Sequence, residues 1–148
     1  MRVWTILAAV FFASTASFSA GPSDIFGSWK TQGGDSLLEL FACGQDVCGR
    51  VVWLKQPKYI DARDGPLGAT KVDRQNPDSR LRNRPILGLE VMRGLAPQGG
   101  DRWAGGTCYD PETGNSYRCR MRLTKPGRLE VRGYIGIPLL GRTFLLTR

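Results

Sequence analysis

Apolar residues alternate with polar ones in short bursts along most of this chain, and glycine, proline and asparagine separate the bursts. Leu38, Leu40 and Ala42 alternate with Glu39, Phe41 and Cys43. After a turn, Val51 and Trp53 alternate with Arg50 and Val52. Tyr117, Cys119, Met121 and Leu123 alternate with Arg118, Arg120 and Arg122, and Leu129, Val131, Gly133 and Ile135 with Glu130, Arg132 and Tyr134. A period of two marks a strand with one face buried. Lys125-Pro126-Gly127 forms a turn between the last two runs. Further strands are expected over residues 27–31, 87–95, 102–108 and 142–148. No stretch shows a strong helical period. About eight short strands in succession predict an all-β fold, a single small antiparallel up-and-down β-barrel, because closure removes exposed edges. Such a barrel holds either packed side chains or one small ligand.

The start of the chain changes the picture of where this barrel works. Arg2 precedes an apolar run from Val3 to Ala13, and small residues follow. This is the pattern of a secretory signal peptide over residues 1–20, cleaved after Ala16 or Ala20, leaving residues 21–148 as one domain. The apolar run is shorter than the ~20 residues a span needs, and no later segment qualifies, so no transmembrane span is expected after cleavage. A periplasmic or secreted product follows. In that setting an even cysteine count reads as disulfides. Four cysteines allow three pairings. Local pairing, Cys43–Cys48 and Cys108–Cys119, suits the hairpins, and cross-pairing between hairpins is the alternative. Setting Cys43 opposite Cys48 places Leu40 across from Val51, Leu38 across from Trp53 and Glu39 across from Val52, with one face apolar throughout. Zinc fits poorly, because the first spacing is too wide for a knuckle and histidine is absent. No metal site and no cofactor are expected.

Composition narrows the chemistry. With no histidine, the usual base near neutral pH is missing and a Ser-His-Asp or Cys-His arrangement is excluded. There is no nucleophile elbow, phosphate-cradling loop or dinucleotide fingerprint. Paired carboxylates, Asp61 with Asp64 or Asp73 with Asp78, are the remaining acid–base option, but among so many arginines they read as salt-bridge partners. Asp46, Asp110 and Glu112 read first as turn residues rather than calcium ligands. A non-enzymatic role is expected. The net charge is +8, and five lysines among 21 basic residues leave 16 arginines. No aromatic-interleaved motif accompanies the charge, so no nucleic-acid partner is expected. The stripe Arg118, Arg120, Arg122 and Arg132 reads as a solvated sheet face.

One segment does not fit the strand pattern. Residues 55–85 contain no convincing strand, and loops of this length are commonly functional. Asn76-Pro77-Asp78 reads as a turn or helix start, with Ser79-Arg80-Leu81-Arg82 as a single helical turn. Arginine forks suit carboxylate, phosphate or sulfate groups. If the loop closes over a barrel mouth, Arg80, Arg82 and Arg84, with Asp73 and Asn76 nearby, form an anion clamp. Trp53, Trp103, Tyr109 and Tyr117 are then candidates to line the mouth. Gly105-Gly106 permits a bend in the wall. The expected partner is a small apolar or amphipathic anionic ligand. The alternative is a cell-envelope interaction module that presents its basic surface to an anionic envelope component, without a small ligand or catalysis.

Four motifs carry a family resemblance. CGRVVWLKQP, DRQNPDSRLRNRPILGLEVMRGL, WAGGTCYDPETGNSYRCRMRL and LEVRGYIGIPLLGRTFLLTR, in that order across residues 25–148, resemble the bacterial domain-of-unknown-function family numbered 2147. The resemblance implies an exported protein with a lipocalin-like (calycin) barrel, and it brings no activity with it. Gly27-Ser28-Trp29 also resembles the calycin Gly-x-Trp signature. That likeness implies that an arginine near the last strand, Arg148 or Arg142, covers Trp29 and closes the barrel base.

Overall fold

The computed structural model describes residues 22–148. The expected signal peptide and its cleavage points therefore lie outside the described residues. A 3-10 turn, Pro22–Ile25, leads into eight strands: β1 Gly27–Thr31, β2 Ser36–Cys43, β3 Asp46–Leu54, β4 Glu90–Pro97, β5 Arg102–Asp110, β6 Asn115–Lys125, β7 Arg128–Tyr134 and β8 Arg142–Thr147. Each pairs antiparallel with its neighbour in sequence, and β1 pairs with β8 to close the barrel.

Alternation places the side chains. On β6, Cys119, Met121 and Leu123 are buried while Arg118, Arg120 and Arg122 face water. On β7, Leu129, Val131 and Gly133 turn inward. Arg122 lies across from Glu130 and Arg120 across from Arg132, the register the two runs predict.

The register shifts at several places elsewhere, and two of these shifts, on β3 and β5, bear on the site. On β3, Leu38 pairs with Val51 but Leu37 pairs with Trp53, so Val52 is an extra residue. A one-residue slip exchanges the two faces of a strand. Leu54 therefore faces the interior, and Trp53 is 44% exposed on the outside. On β5 the register shifts between Trp103 and Gly106. Gly105 takes a positive φ of 77° there, and a Cβ on Gly106 would lie 2.7 Å from Leu95. Only glycine serves well at both positions. The shift turns Cys108 toward the interior.

Up-and-down order collects alternate connections at the same end. The closed end holds the β2–β3, β4–β5 and β6–β7 turns and both described termini. Its core is Trp29, Leu40, Leu95, Trp103, Met121 and Leu129, all essentially inaccessible. Trp29 Nε1 donates to the Ile25 carbonyl at 2.7 Å, and the Arg148 guanidinium stacks 4.2 Å from the indole centroid while donating to the Phe26 carbonyl. Arg142 sits at the opposite end of β8, so Arg148 alone of the two candidates covers Trp29.

The Cys43–Cys48 disulfide joins β2 and β3 at this closed end, with Cα atoms 5.8 Å apart. Its register differs from a direct pairing: Cys43 lies across from Asp46 and Phe41 across from Cys48, so the bridge is diagonal. Leu38 faces Val51 and Leu40 faces Gly49, two residues away from the directly opposed arrangement. Parity is preserved, which keeps the apolar face intact despite the slip. The expected second bridge is not formed. Cys108 and Cys119 carry free thiols. They stand in the same diagonal relation, Cys108 across from Tyr117 and Gly106 across from Cys119. Their mutual contact and burial push the Cys108 thiol well above its usual range.

Candidate ligand-binding site

The other end of the barrel is hollow. A cavity of about 1180 Å³ opens there, somewhat above the roughly 300–1,000 Å³ typical of small-molecule sites. Leu38, Val51, Leu54, Val91, Val131 and Phe144 give it apolar walls, with Met92, Cys108 and Tyr117 among them. Thr31 and Ser36 bring hydroxyls to its upper edge.

The long β3–β4 connection forms a lid over this end, and its order is built from its own contacts. Tyr59 is buried against Gly65, and its Oη both donates to the Val72 carbonyl (3.2 Å) and accepts from the Val72 amide (3.1 Å). Bridges link Lys58 to Thr70 and Val72 to Pro85. Ser79–Leu81 forms the expected single turn, here a 3-10 turn capped by Asp78.

A buried charge bolts the lid to the wall. Asp73 is 0% exposed. Its Oδ1 accepts from Tyr109 Oη of β5 at 2.5 Å, and its Oδ2 accepts from Asn76 Nδ2 at 2.8 Å and from Arg84 Nε at 3.0 Å. The Asp73 amide donates to the Arg84 carbonyl. Carboxylates are tolerated inside when paired and fully hydrogen-bonded. A second contact backs this one: a Cβ on Gly114, in the β5–β6 turn, would overlap the Gln75 carbonyl, and Gly114 has a φ of 74°. The turn and the lid thus touch backbone to side-chain-free backbone.

These contacts correct the clamp read from sequence. Asp73 bonds to Asn76, Arg84 and Tyr109, and Asn76 also donates to Tyr109 Oη. Arg82 Nε donates to the Asn76 carbonyl at 2.7 Å, and Arg80 pairs with Asp78 at the surface. None of the three arginines lines the main cavity. Arg84 borders only a smaller recess of about 280 Å³, beside Asn76 and Tyr109. Of the four aromatic candidates, Tyr109 and Tyr117 line the cavity, Trp103 is packed into the closed end, and Trp53 points outward.

The cations at the cavity are different ones. Arg63 is engaged by Asp61, and Arg74 donates to the Asp64 carbonyl while lying 5.8 Å from the Tyr59 ring centroid. Lys71 and Arg142 also line the cavity, and among the described residues their side chains enter no hydrogen bond or ion pair. The calycin likeness left Arg142 as an alternative to Arg148 at the barrel base, because both ends of the last strand carry an arginine. Lys71 carries no local signal, since only the folded lid brings it to the mouth.

Residues 27–148 match the family described as an uncharacterized protein conserved in bacteria, DUF2147. The chain belongs to that family. Among solved structures, this DUF2147 chain is similar to protein HP1028 from the human pathogen Helicobacter pylori, described as belonging to the lipocalin family. The TM-score is 0.69 at 24% identity, over 84% of this chain and 82% of that one. That likeness shows the fold. Among curated proteins, none matches the chain.

The Tyr109 bond to Asp73 has a testable pH dependence. Burial, then the hydrogen bond to Asp73, push the phenol up to about 12 from its usual 10.0. Only the protonated phenol can donate to Asp73. Its contribution is therefore complete below the unfolded value near 10 and is lost as pH rises through about 12. Stability measured by urea denaturation across that window should fall more steeply for the native protein than for Tyr109→Phe. Parallel curves would show that the phenol is not what holds the lid.

Proposed function

We propose that this protein binds a small amphipathic anion in the cell envelope, with the apolar part in the barrel and the acidic group at the mouth. The observation that carries this reading is the apolar-walled cavity whose rim holds Lys71 and Arg142 without side-chain partners among the described residues. A cation free of internal pairing is available to a ligand carboxylate or phosphate. The lipocalin-like fold supports a ligand in this position, since barrels of this size accommodate one small molecule. Export is supported by the Cys43–Cys48 disulfide, a bond that persists in oxidising compartments.

A fluorescent dansyl fatty acid tests the reading directly. It should bind with saturable enhancement, and the variant Lys71→Met/Arg142→Met should bind it about tenfold more weakly, a change of about 1.4 kcal/mol. Gly133 offers a second handle, because it lines the cavity and a Cβ there would lie 3.5 Å from Tyr117. Gly133→Leu should fill the lumen and abolish binding. Equal affinity in all three proteins would exclude the cavity as the site.

A further inference from the structure

The β7–β8 connection reverses the usual placement of apolar side chains. Ile135, Leu139 and Leu140 are 71%, 81% and 77% exposed, and Ile137 and Phe144 are also in contact with water. A fixed local structure holds them there. Arg132, on the outer face of β7, donates from Nε to the Pro138 carbonyl at 2.6 Å, from Nη2 to the Leu139 carbonyl at 3.1 Å and from Nη1 to Thr143 Oγ1 at 2.9 Å. The 3-10 turn Pro138–Leu140 closes with the Gly141 amide on the Pro138 carbonyl. Gly141 itself is pressed so closely to Gly133 that a Cβ would overlap its carbonyl. One arginine fork therefore spends its donors on holding this loop, with leucines outward.

The loop lies at the open end of the barrel. Ile135, Leu140 and Phe144 also line the cavity mouth, so the exposed apolar surface continues into the lumen. The lid at the same end adds Ile60 and Leu67, both well exposed. Exposed apolar surface gathered in one place marks an interaction site. Charge selects the partner. Arg118 and Arg120 stand on the adjoining outer wall, across from Tyr134 and Arg132, and neither is engaged by an acid among the described residues. Arg142, at the mouth, has no side-chain partner among the described residues either. Apolar tips flanked by unpaired cations match a bilayer that carries anionic headgroups.

We propose that this loop docks the protein on an anionic membrane surface with the cavity mouth turned toward the bilayer. This goes beyond ligand binding and does not depend on it. The orientation would let an amphipathic molecule pass between bilayer and barrel without crossing open water.

Flotation with phosphatidylcholine vesicles, with and without phosphatidylglycerol, tests the proposal on the mature chain. Binding is expected to the phosphatidylglycerol vesicles and should weaken as salt is raised. Ile137→Gln/Leu139→Gln, at two positions that do not line the cavity, should bind about tenfold more weakly or worse. Arg118→Gln/Arg120→Gln should lose the preference for phosphatidylglycerol. Dansyl fatty acid binding in lipid-free buffer should be unchanged in the Ile137/Leu139 variant, which also reports that it folds. Failure of that probe in every protein would sink the ligand reading and leave docking standing. Absence of binding to either vesicle, or undiminished binding by the Ile137/Leu139 variant, would overturn docking. So would a native dimer that this variant converts to monomer, since the patch would then cover a second copy.

Discussion

Replacing Arg84 with methionine is expected to destabilise the lid by about 3 kcal/mol, because it strands the Asp73 carboxylate in a site with no access to water. Breaking a buried pair from one side costs roughly 3–5 kcal/mol in general. The low end applies here. Arg84 is itself 39% exposed, and Tyr109 and Asn76 still donate to Asp73 after the change. The companion variant Asp73→Asn/Arg84→Met should recover part of the loss, since it leaves no uncompensated charge. The lid carries several trypsin sites, among them Arg63, Arg74, Arg80 and Arg82. Limited tryptic digestion should therefore show faster cleavage between β3 and β4 in the single variant, with urea denaturation giving the energy. Cleavage at the native rate would show that the carboxylate is not the bolt.

Trp29→Ala should be as damaging at the opposite end. Large aromatic deletions in a core cost roughly 3–5 kcal/mol, and Trp29 is 1% exposed. The change also removes the indole donor to the Ile25 carbonyl and the ring beneath Arg148. Trp53→Ala serves as its control, because surface changes generally stay within about 0.5 kcal/mol. Thermal denaturation of the two variants side by side separates them. A Trp53 effect as large as that of Trp29 would contradict the bulge at Val52. The two tryptophans thus test the register of the whole first half of the barrel.

The two ends of the molecule divide the work. The closed end concentrates aromatic packing, the Arg148 stack and the disulfide. The open end has a cavity, a lid held by a buried carboxylate and an apolar loop held outward by Arg132. Firm packing at one end leaves the other free to carry unsatisfied surface.

Sequence patterning was sufficient for the number and order of the strands, for the closure into one barrel and for the Ser79–Leu81 turn, but not for every strand end: Ile135, read into the inward run of β7, lies beyond it and is exposed, and the strand read over 87–95 is Glu90–Pro97. Alternation and turn chemistry are local, and a period of two needs no knowledge of partners. It was sufficient as well to mark residues 55–85 as the exceptional segment. Three things were decided only by tertiary structure. The bulges at Val52 and Gly105 reverse parity, which moved Trp53 outward and Cys108 inward. The Asp73 network turned a presumed anion clamp into a bolt, because whether an arginine is free depends on what lies beside it in space. Lys71 and Arg142 line one mouth although nearly half of the chain separates them, through strand order and the path of the lid. Local periodicity thus determined which residues form a wall, while long-range register and pairing decided which of them face the hollow and which charges remain unspent.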